Sequence, residues 1–252
     1  PLIEDVLAVR AVAYRHDTSG YIENIAGTIL ATNGLVRSGV LASDAVALDG
    51  GAELYQNENN LGDAEHKGGR LSVLWSPVDD LKITLQHVYQ DVVQKGQPYV
   101  ETNLDGYQQI TLQFGDQGAI ANEESGHNDE INITNLMIEY DFGWASLLSS
   151  SAWLEEESST YRDSSSFAGR PIVLEITADV EVFSQEVRLV SQLEGPLQYV
   201  AGVYYEERDR IFFSTFWGAT QEAVNGFGNP LGVDSIGINI DQRIQPVDQF
   251  SY

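Results

Sequence analysis

The sequence has no cysteine and few basic residues. Its 252 residues include 13 Lys plus Arg against 38 Asp plus Glu, a formal net charge of −25. The absence of cysteine excludes disulfides, cysteine-ligated zinc, iron–sulfur clusters and a thiol nucleophile. The shortage of basic residues argues against a nucleic-acid partner, because phosphate binding needs a basic face.

Long apolar runs are also missing. No stretch of 18 apolar residues occurs, which excludes a transmembrane helix, and no signal peptide is visible. The chain is nevertheless 42% hydrophobic and 20% charged, a balance that argues against general disorder. The chain opens with Pro1 and its next residues already have a strand pattern. This start indicates either an internal fragment of a longer protein or a chain trimmed by processing, and we expect the fragment.

What the sequence does contain is alternation of apolar and polar residues with a period of two, the signal of β-strands. Leu81–Gln90 alternates in this way, as does Leu71–Trp75 before it, and Ser76–Asp80 between them is rich in turn residues. The pattern returns around residues 136–152 and 183–205. We therefore predict three antiparallel hairpins.

The register of each hairpin follows from matching apolar residues across the turn, since facing residues share one side of the sheet. The expected facing pairs are Trp75 with Leu81, Val73 with Ile83, Leu71 with Leu85, Tyr140 with Trp144, Leu136 with Leu148, Leu193 with Leu197, Leu189 with Ala201, and Val187 with Val203.

The connections between strands are of two lengths. The three hairpin turns are predicted to have about three to five residues. The segments between hairpins are much longer, roughly 17–66, 91–130, 156–178 and 207–247, and are rich in Asn, Asp, Glu, Gly and Ser. Short turns at one end and long polar loops at the other are typical of an outer-membrane β-barrel.

Three stretches resemble TonB-dependent outer-membrane receptors, in the part of the barrel that follows the plug. They are residues 183–191 with 195–205, residues 69–77 with 80–81, and residues 7–10 with 15–22. The resemblance implies a 22-stranded antiparallel barrel with an N-terminal plug. Residues 1–252 then form one partial barrel domain of about seven to eight strands without the plug.

The resemblance also implies a function and partners. Such a receptor binds a scarce ligand at its extracellular loops, such as a ferric siderophore, cobalamin or an oligosaccharide. It passes the ligand through the barrel with energy relayed by TonB. The expected location is the outer membrane of a Gram-negative cell, with membrane lipid as one partner. TonB would act through the missing plug. We expect no enzymatic activity and no cofactor.

Candidate site residues fall into three groups. Aromatic residues beside the short turns are candidates for the membrane interface, although large residues also cap soluble cores: Trp75, Tyr140, Trp144 and Tyr199. Polar residues on the opposite parity are candidates for the barrel lumen, either as a wall pair or as plug contacts: Arg10, Ser184, Glu186 and Arg188. Aromatic residues on or near the long loops are candidates for ligand contact: Tyr99, Tyr107, Phe114, Phe216 and Trp217.

Motifs for catalysis or metal binding are missing. The four histidines form no short ligand pair, and no nucleophile elbow occurs. The acidic clusters 123–124 with 129–130 and 155–157 are interpreted mainly as solvated loop bases, with cation binding as the alternative. We expect Gln249–Tyr252 to open a strand that is cut short.

Two other functional classes remain open. A soluble all-β ligand-binding or carbohydrate-binding module also fits an acidic, tyrosine-rich chain. A passive porin or an autotransporter barrel would share the strand pattern.

Overall fold

The computed structural model describes residues 1–37, 40–41, 43–44, 56–101, 104, 106–111, 126–163, 172–218, 238–244 and 249–251. These residues form β-strands and one short helix, α1 (Ala26–Ala31). The strands are β1 (Leu7–Thr18), β2 (Ile22–Ile25), β3 (Leu35–Arg37), β4 (Val40–Leu41), β5 (Asn57–Leu61), β6 (Ala64–Val78), β7 (Leu81–Lys95), β8 (Gln108–Gln109), β9 (Gly126–Asp141), β10 (Ala145–Asp163), β11 (Ile172–Ser191), β12 (Val200–Gly218), β13 (Ile238–Ile244) and β14 (Gln249–Ser251). No helix among them is long and apolar enough to cross a membrane.

The long strands form one open antiparallel sheet. Its order is β1-β6-β7-β9-β10-β11-β12-β13, and β14 also pairs with β12. Both β13 and β14 lie antiparallel to β12, so together they form the neighbouring strand. Each strand pairs with the next long strand in the chain, and the sheet does not close on itself. The predicted all-β antiparallel architecture is confirmed.

Residues that face one another across the strands define two faces of this sheet. One face contains Trp75, Ile83, Ile138 and Val187 in a single row. On β10 and β11, in the half nearer the loops, the side chains of this face are more exposed than those of the opposite face. We call it the outer face and the opposite one the inner face.

The outer face is apolar only in the half of the sheet nearer the short turns. There it forms a band of four rows, which contain Leu81, Ile83, Leu85 and His87 of β7. We call it the apolar band. The row of Trp153 and Phe183 also contains Glu207, and beyond it the outer positions of β10, β11 and β12 become acidic. These positions are occupied by Glu155, Glu157, Glu181, Asp179 and Asp209.

The inner face shows the opposite change. Near the short turns it is polar, with Arg10, Ser72, Gln86, Asn135 and Ser184 belonging to one row. Nearer the loops, one inner row instead contains mainly apolar residues. Its members are Val12, Arg70, Val88, Ile133, Leu154 and Val182. The apolar side of the strands therefore moves from the outer to the inner face along their length.

This change of side explains why the predicted loops were too long. The strands continue to Thr18, Lys95, Asp163 and Gly218, well inside the segments that the sequence assigned to loops. Residues 155–157 lie in β10 and residues 129–130 lie in β9, so the expectation of loop bases was wrong for both. The strand β14 begins at Gln249, as expected, and pairs with β12.

The predicted registers were right for one hairpin and wrong for two. Leu189 faces Ala201 and Val187 faces Val203, as expected, although Leu193 and Leu197 lie in the connection between β11 and β12 and do not pair. In the first hairpin, a bulge between Trp75 and Val78 shifts the pairing by two residues. The face is kept, and the observed pairs are Trp75 with Ile83, Val73 with Leu85 and Leu71 with His87.

In the middle hairpin, the observed register differs from the predicted one by an odd number of residues. Side chains predicted for one face therefore lie on the other. Tyr140 faces Leu147 rather than Trp144, and Leu136 faces Ser151 rather than Leu148. The cause is the turn, in which Gly143 has a φ of 80° and the amide of Phe142 bonds to the Ala145 carbonyl. Trp144 thus belongs to the turn, and Leu148 faces inward.

A small second sheet lies at the loop end. Its order is β5-β2-β8, with β2 antiparallel to β5 and parallel to β8. Because β2 and β5 belong to the connection from β1 to β6 and β8 follows β7, this sheet joins two different loops. We call it the loop sheet.

Candidate membrane-facing and ligand-binding surfaces

Polar side chains within the apolar band are bonded to one another. The Gln185 amide donates to Ser149 Oγ at 3.0 Å, and its carbonyl accepts from Ser151 Oγ. His87 Nδ1 lies 2.9 Å from Thr134 Oγ1 in the same way. Such pairing is what an apolar solvent requires, since it offers no hydrogen bonds to an unpaired group.

The aromatic residues predicted for the membrane interface lie at the short-turn end. Tyr140 and Phe142 rings are 4.7 Å apart, and Phe142 lies 5.8 Å from Trp144. Trp75, Trp144 and Tyr199 are exposed. Amphipathic rings at one border of an apolar band are typical of a headgroup zone.

The height of the apolar band can be compared with that of a membrane. Four rows span about six residues of each strand, or about 20 Å along the strand at about 3.3 Å per residue, which is about 15 Å along the membrane normal at the usual strand tilt of about 40°. Outer-membrane barrels have an apolar band about 25 Å tall. The aromatic residues of the turns extend the band toward that height.

Above the band, the outer face contains charged pairs. Lys67 Nζ lies 2.6 Å from Asp91 Oδ2, and Arg15 Nη2 lies 2.8 Å from Glu65 Oε2. The Asp91 hydrogen bond and charge raise the pKa of Lys67 above its usual value. These side chains are suited to water or to headgroups rather than to acyl chains.

The four residues predicted to face the lumen share the inner face. Arg10 and Ser184 belong to one row, and Glu186 and Arg188 follow in the next two rows towards the turns. Arg188 Nη1 lies 3.7 Å from Glu186 Oε1. Arg188 also lines a groove of about 320 Å³ with Lys82, Glu139 and acidic turn residues.

The loop aromatics have different environments. Tyr99 is half-buried, and desolvation together with the nearby Asp163 carboxylate raises the pKa of its phenol. Tyr107 is exposed and forms an edge-to-face pair with Tyr21, with ring centroids 5.3 Å apart. Phe114 lies outside the described residues. Phe216 and Trp217 lie on β12, and their side chains are outside the described part.

Sequence reasoning missed Tyr21 as the partner of Tyr107. Exposure alternates along this segment. Ile22 and Asn24 are 1% exposed, whereas Tyr21 and Glu23 are exposed. Residues at alternate positions of a strand point to opposite sides. The pattern gives β2 a buried and an exposed side, but the parallel pairing that brings Tyr107 alongside is not a local feature.

No family model matches the sequence, and no curated protein sequence matches it significantly. A solved structure, however, matches the fold of this chain. The chain is similar in fold to the ferric yersiniabactin uptake receptor FyuA from Yersinia pestis. The TM-score is 0.60 at 14% sequence identity, over 86% of this chain.

The chain spans about 28% of the length of FyuA. At this identity the match shows the fold alone, an antiparallel sheet similar to part of the FyuA structure.

Proposed function

We propose that this chain is part of the transmembrane barrel of a TonB-dependent uptake receptor in the outer membrane of a Gram-negative cell. The observation that carries the proposal is the two-sided pattern of the sheet. Its outer face has an apolar band bordered by aromatic residues at the short turns, and its inner face is polar at the same level. A sheet with lipid on one side and a wet interior on the other requires this arrangement.

The fold match to FyuA, an uptake receptor for ferric yersiniabactin, supports the transport part of the proposal. The loop end then faces the exterior and binds the ligand, and the inner face lines its path. Arg10, Ser184, Glu186 and Arg188 would contact the plug or the moving ligand. No step of covalent chemistry is proposed for the chain.

The soluble-module alternative requires a second sheet packed on the apolar band. No such layer covers the band in the described part of the chain. Leu71, Leu85 and Val203 of the band are 49%, 46% and 58% exposed. Apolar surface on this scale indicates a membrane or a partner surface rather than contact with water.

The test uses the complete protein that contains this chain. We expect it in the outer-membrane fraction, with uptake of its ligand lost in a strain without TonB. Uptake that persists at the same rate without TonB would support a passive porin instead. Recovery of the protein as a monodisperse, detergent-free soluble species would overturn the membrane assignment.

A further inference from the structure

The loop sheet holds two exposed tyrosines in a fixed arrangement. Tyr21 and Tyr107 are 60% and 64% exposed, and their ring planes meet at 87°. They come from two different loops. Rings of this size are usually buried when they serve only in packing, so an exposed pair at the loop end calls for another role.

The backbone beneath the pair is firmly connected. The amide of Glu23 bonds to the Tyr107 carbonyl at 2.9 Å, next to the parallel pairing of β2 with β8. The buried Asn24 side chain donates to the Thr111 carbonyl at 2.8 Å and accepts from the Thr111 amide at 3.1 Å. The two rings are therefore positioned before any ligand arrives, which lowers the entropy lost on binding.

The segments that form the loop sheet carry a net negative charge. Residues 19–37, 56–63, 95–101 and 106–111 include four acidic residues and two basic residues, Arg37 and Lys95. Glu23 is exposed on β2 two residues after the exposed Tyr21, and its carboxylate has no cationic partner among the described side chains. Its one polar side-chain contact there is a 3.5 Å hydrogen bond from Gln108 Nε2.

These features favour a ligand with positive charge. The face of an aromatic ring carries negative potential and attracts cations, most strongly organic cations that are weakly hydrated. A carboxylate beside the rings adds attraction of the same sign, and the acidic chain raises the local concentration of cations. An anionic ligand would meet repulsion from each of these groups.

We propose that Tyr21, Tyr107 and Glu23 form a binding site for an organic cation of the quaternary-ammonium class. This inference rests on the proposed function, since it makes the site part of the ligand-binding end of an uptake receptor. The perpendicular rings form two walls around the cation, and the Glu23 carboxylate neutralises its charge.

The experiment is calorimetric titration of the complete protein in detergent with choline and with its neutral isostere 3,3-dimethylbutan-1-ol. We expect choline to bind and the isostere to bind at least about tenfold more weakly. Binding of choline should weaken with added salt, because part of the attraction is electrostatic. Equal affinity for the two compounds, or no binding of choline, would overturn the proposal.

Variants then locate the site. Tyr107→Leu should weaken choline binding by about three- to thirtyfold, because it removes one π-face, whereas Tyr107→Phe should bind nearly as the wild type. Glu23→Gln should reduce both the affinity and its salt dependence. Tyr199→Leu, an exposed tyrosine at the opposite end of the sheet, is the matched control and should have no effect.

The heat-dependent gel mobility of each variant reports whether its barrel is folded. Choline binding that survives Tyr107→Leu in a folded barrel would overturn the assignment. If the protein takes up a different ligand with TonB but binds no choline, this inference alone is contradicted. If the protein is found outside the outer membrane, the proposed function is contradicted.

Discussion

At the residue scale, Gly68 is a position where the sheet leaves little space. The Tyr14 ring lies across it, and Tyr14 Oη donates to Gln90 Oε1 at 2.9 Å, two strands away. A Cβ at Gly68 would lie 2.8 Å from Tyr14 Oη and 2.5 Å from the Tyr89 carbonyl oxygen. Glycine is thus needed here for space.

We expect Gly68→Ala to destabilise the folded barrel by about 1–3 kcal/mol, because the backbone of β7 has to move away from the new methyl group. The temperature at which the complete protein loses its compact gel mobility measures this change. Gly69→Ala is the control. The nearest atom to its Cβ would be the Val12 carbonyl oxygen at 3.1 Å, so the loss should be smaller.

At the element scale, the two faces of β7 are expected to tolerate charge differently. Leu85 lies in the apolar band and Gln86 on the polar inner face. Leu85→Arg should cost about 2–4 kcal/mol if it lies near the bilayer midplane, whereas Gln86→Arg should be tolerated.

The amount of folded protein in the outer-membrane fraction compares these two variants. Equal yields would contradict the assignment of the apolar band to lipid. The comparison uses neighbouring positions of one strand, so differences in expression or strand propensity are small.

The loop sheet makes a separate prediction for Asn24. Asn24→Ala leaves the buried amide and carbonyl of Thr111 without their side-chain partner, at about 1–3 kcal/mol for each unsatisfied group. We expect faster hydrogen exchange in β8 and in residues 22–25, with no change in the long strands. Thr32→Ala, which removes an exposed hydroxyl bonded only to α1 carbonyls, is the control and should leave β8 unchanged.

The strands also show which features local sequence can predict. The hairpin around Gly195 was placed in its correct register because both its strands alternate cleanly up to the turn. The middle hairpin was placed wrongly because Gly143 adopts a positive φ and moves Trp144 into the turn. Alternation alone cannot decide how many residues a turn takes, and an odd error exchanges the faces.

The loop-side halves of the strands were missed for a different reason. Beyond Trp153 the outer residues become acidic while the inner ones become apolar, so segments such as 155–163 lose the pattern expected of a strand that faces lipid. The candidate site depended on an even less local feature, the parallel pairing of β2 with β8. Two residues 86 positions apart in the chain, Tyr21 and Tyr107, meet only through that pairing.

At the scale of the whole molecule, the sheet formed by the described residues has two free edges. Among these residues, the strand β1 pairs with β6 alone, and the other edge is formed by β13 and β14. Unpaired amide and carbonyl groups along a long strand pair readily with other chains, and in lipid they are costly to leave unsatisfied. A closed barrel of the proposed kind therefore needs further strands between these edges.

We accordingly expect residues 1–252, expressed alone and refolded in detergent, to form heterogeneous oligomers rather than a monodisperse monomer. The complete protein should give a single species under the same conditions, because closure of the barrel pairs both edges. Size-exclusion chromatography with light scattering separates these outcomes. A stable monomer of residues 1–252 would show that the sheet satisfies its own edges, and it would favour a self-contained β-domain over one part of a larger barrel.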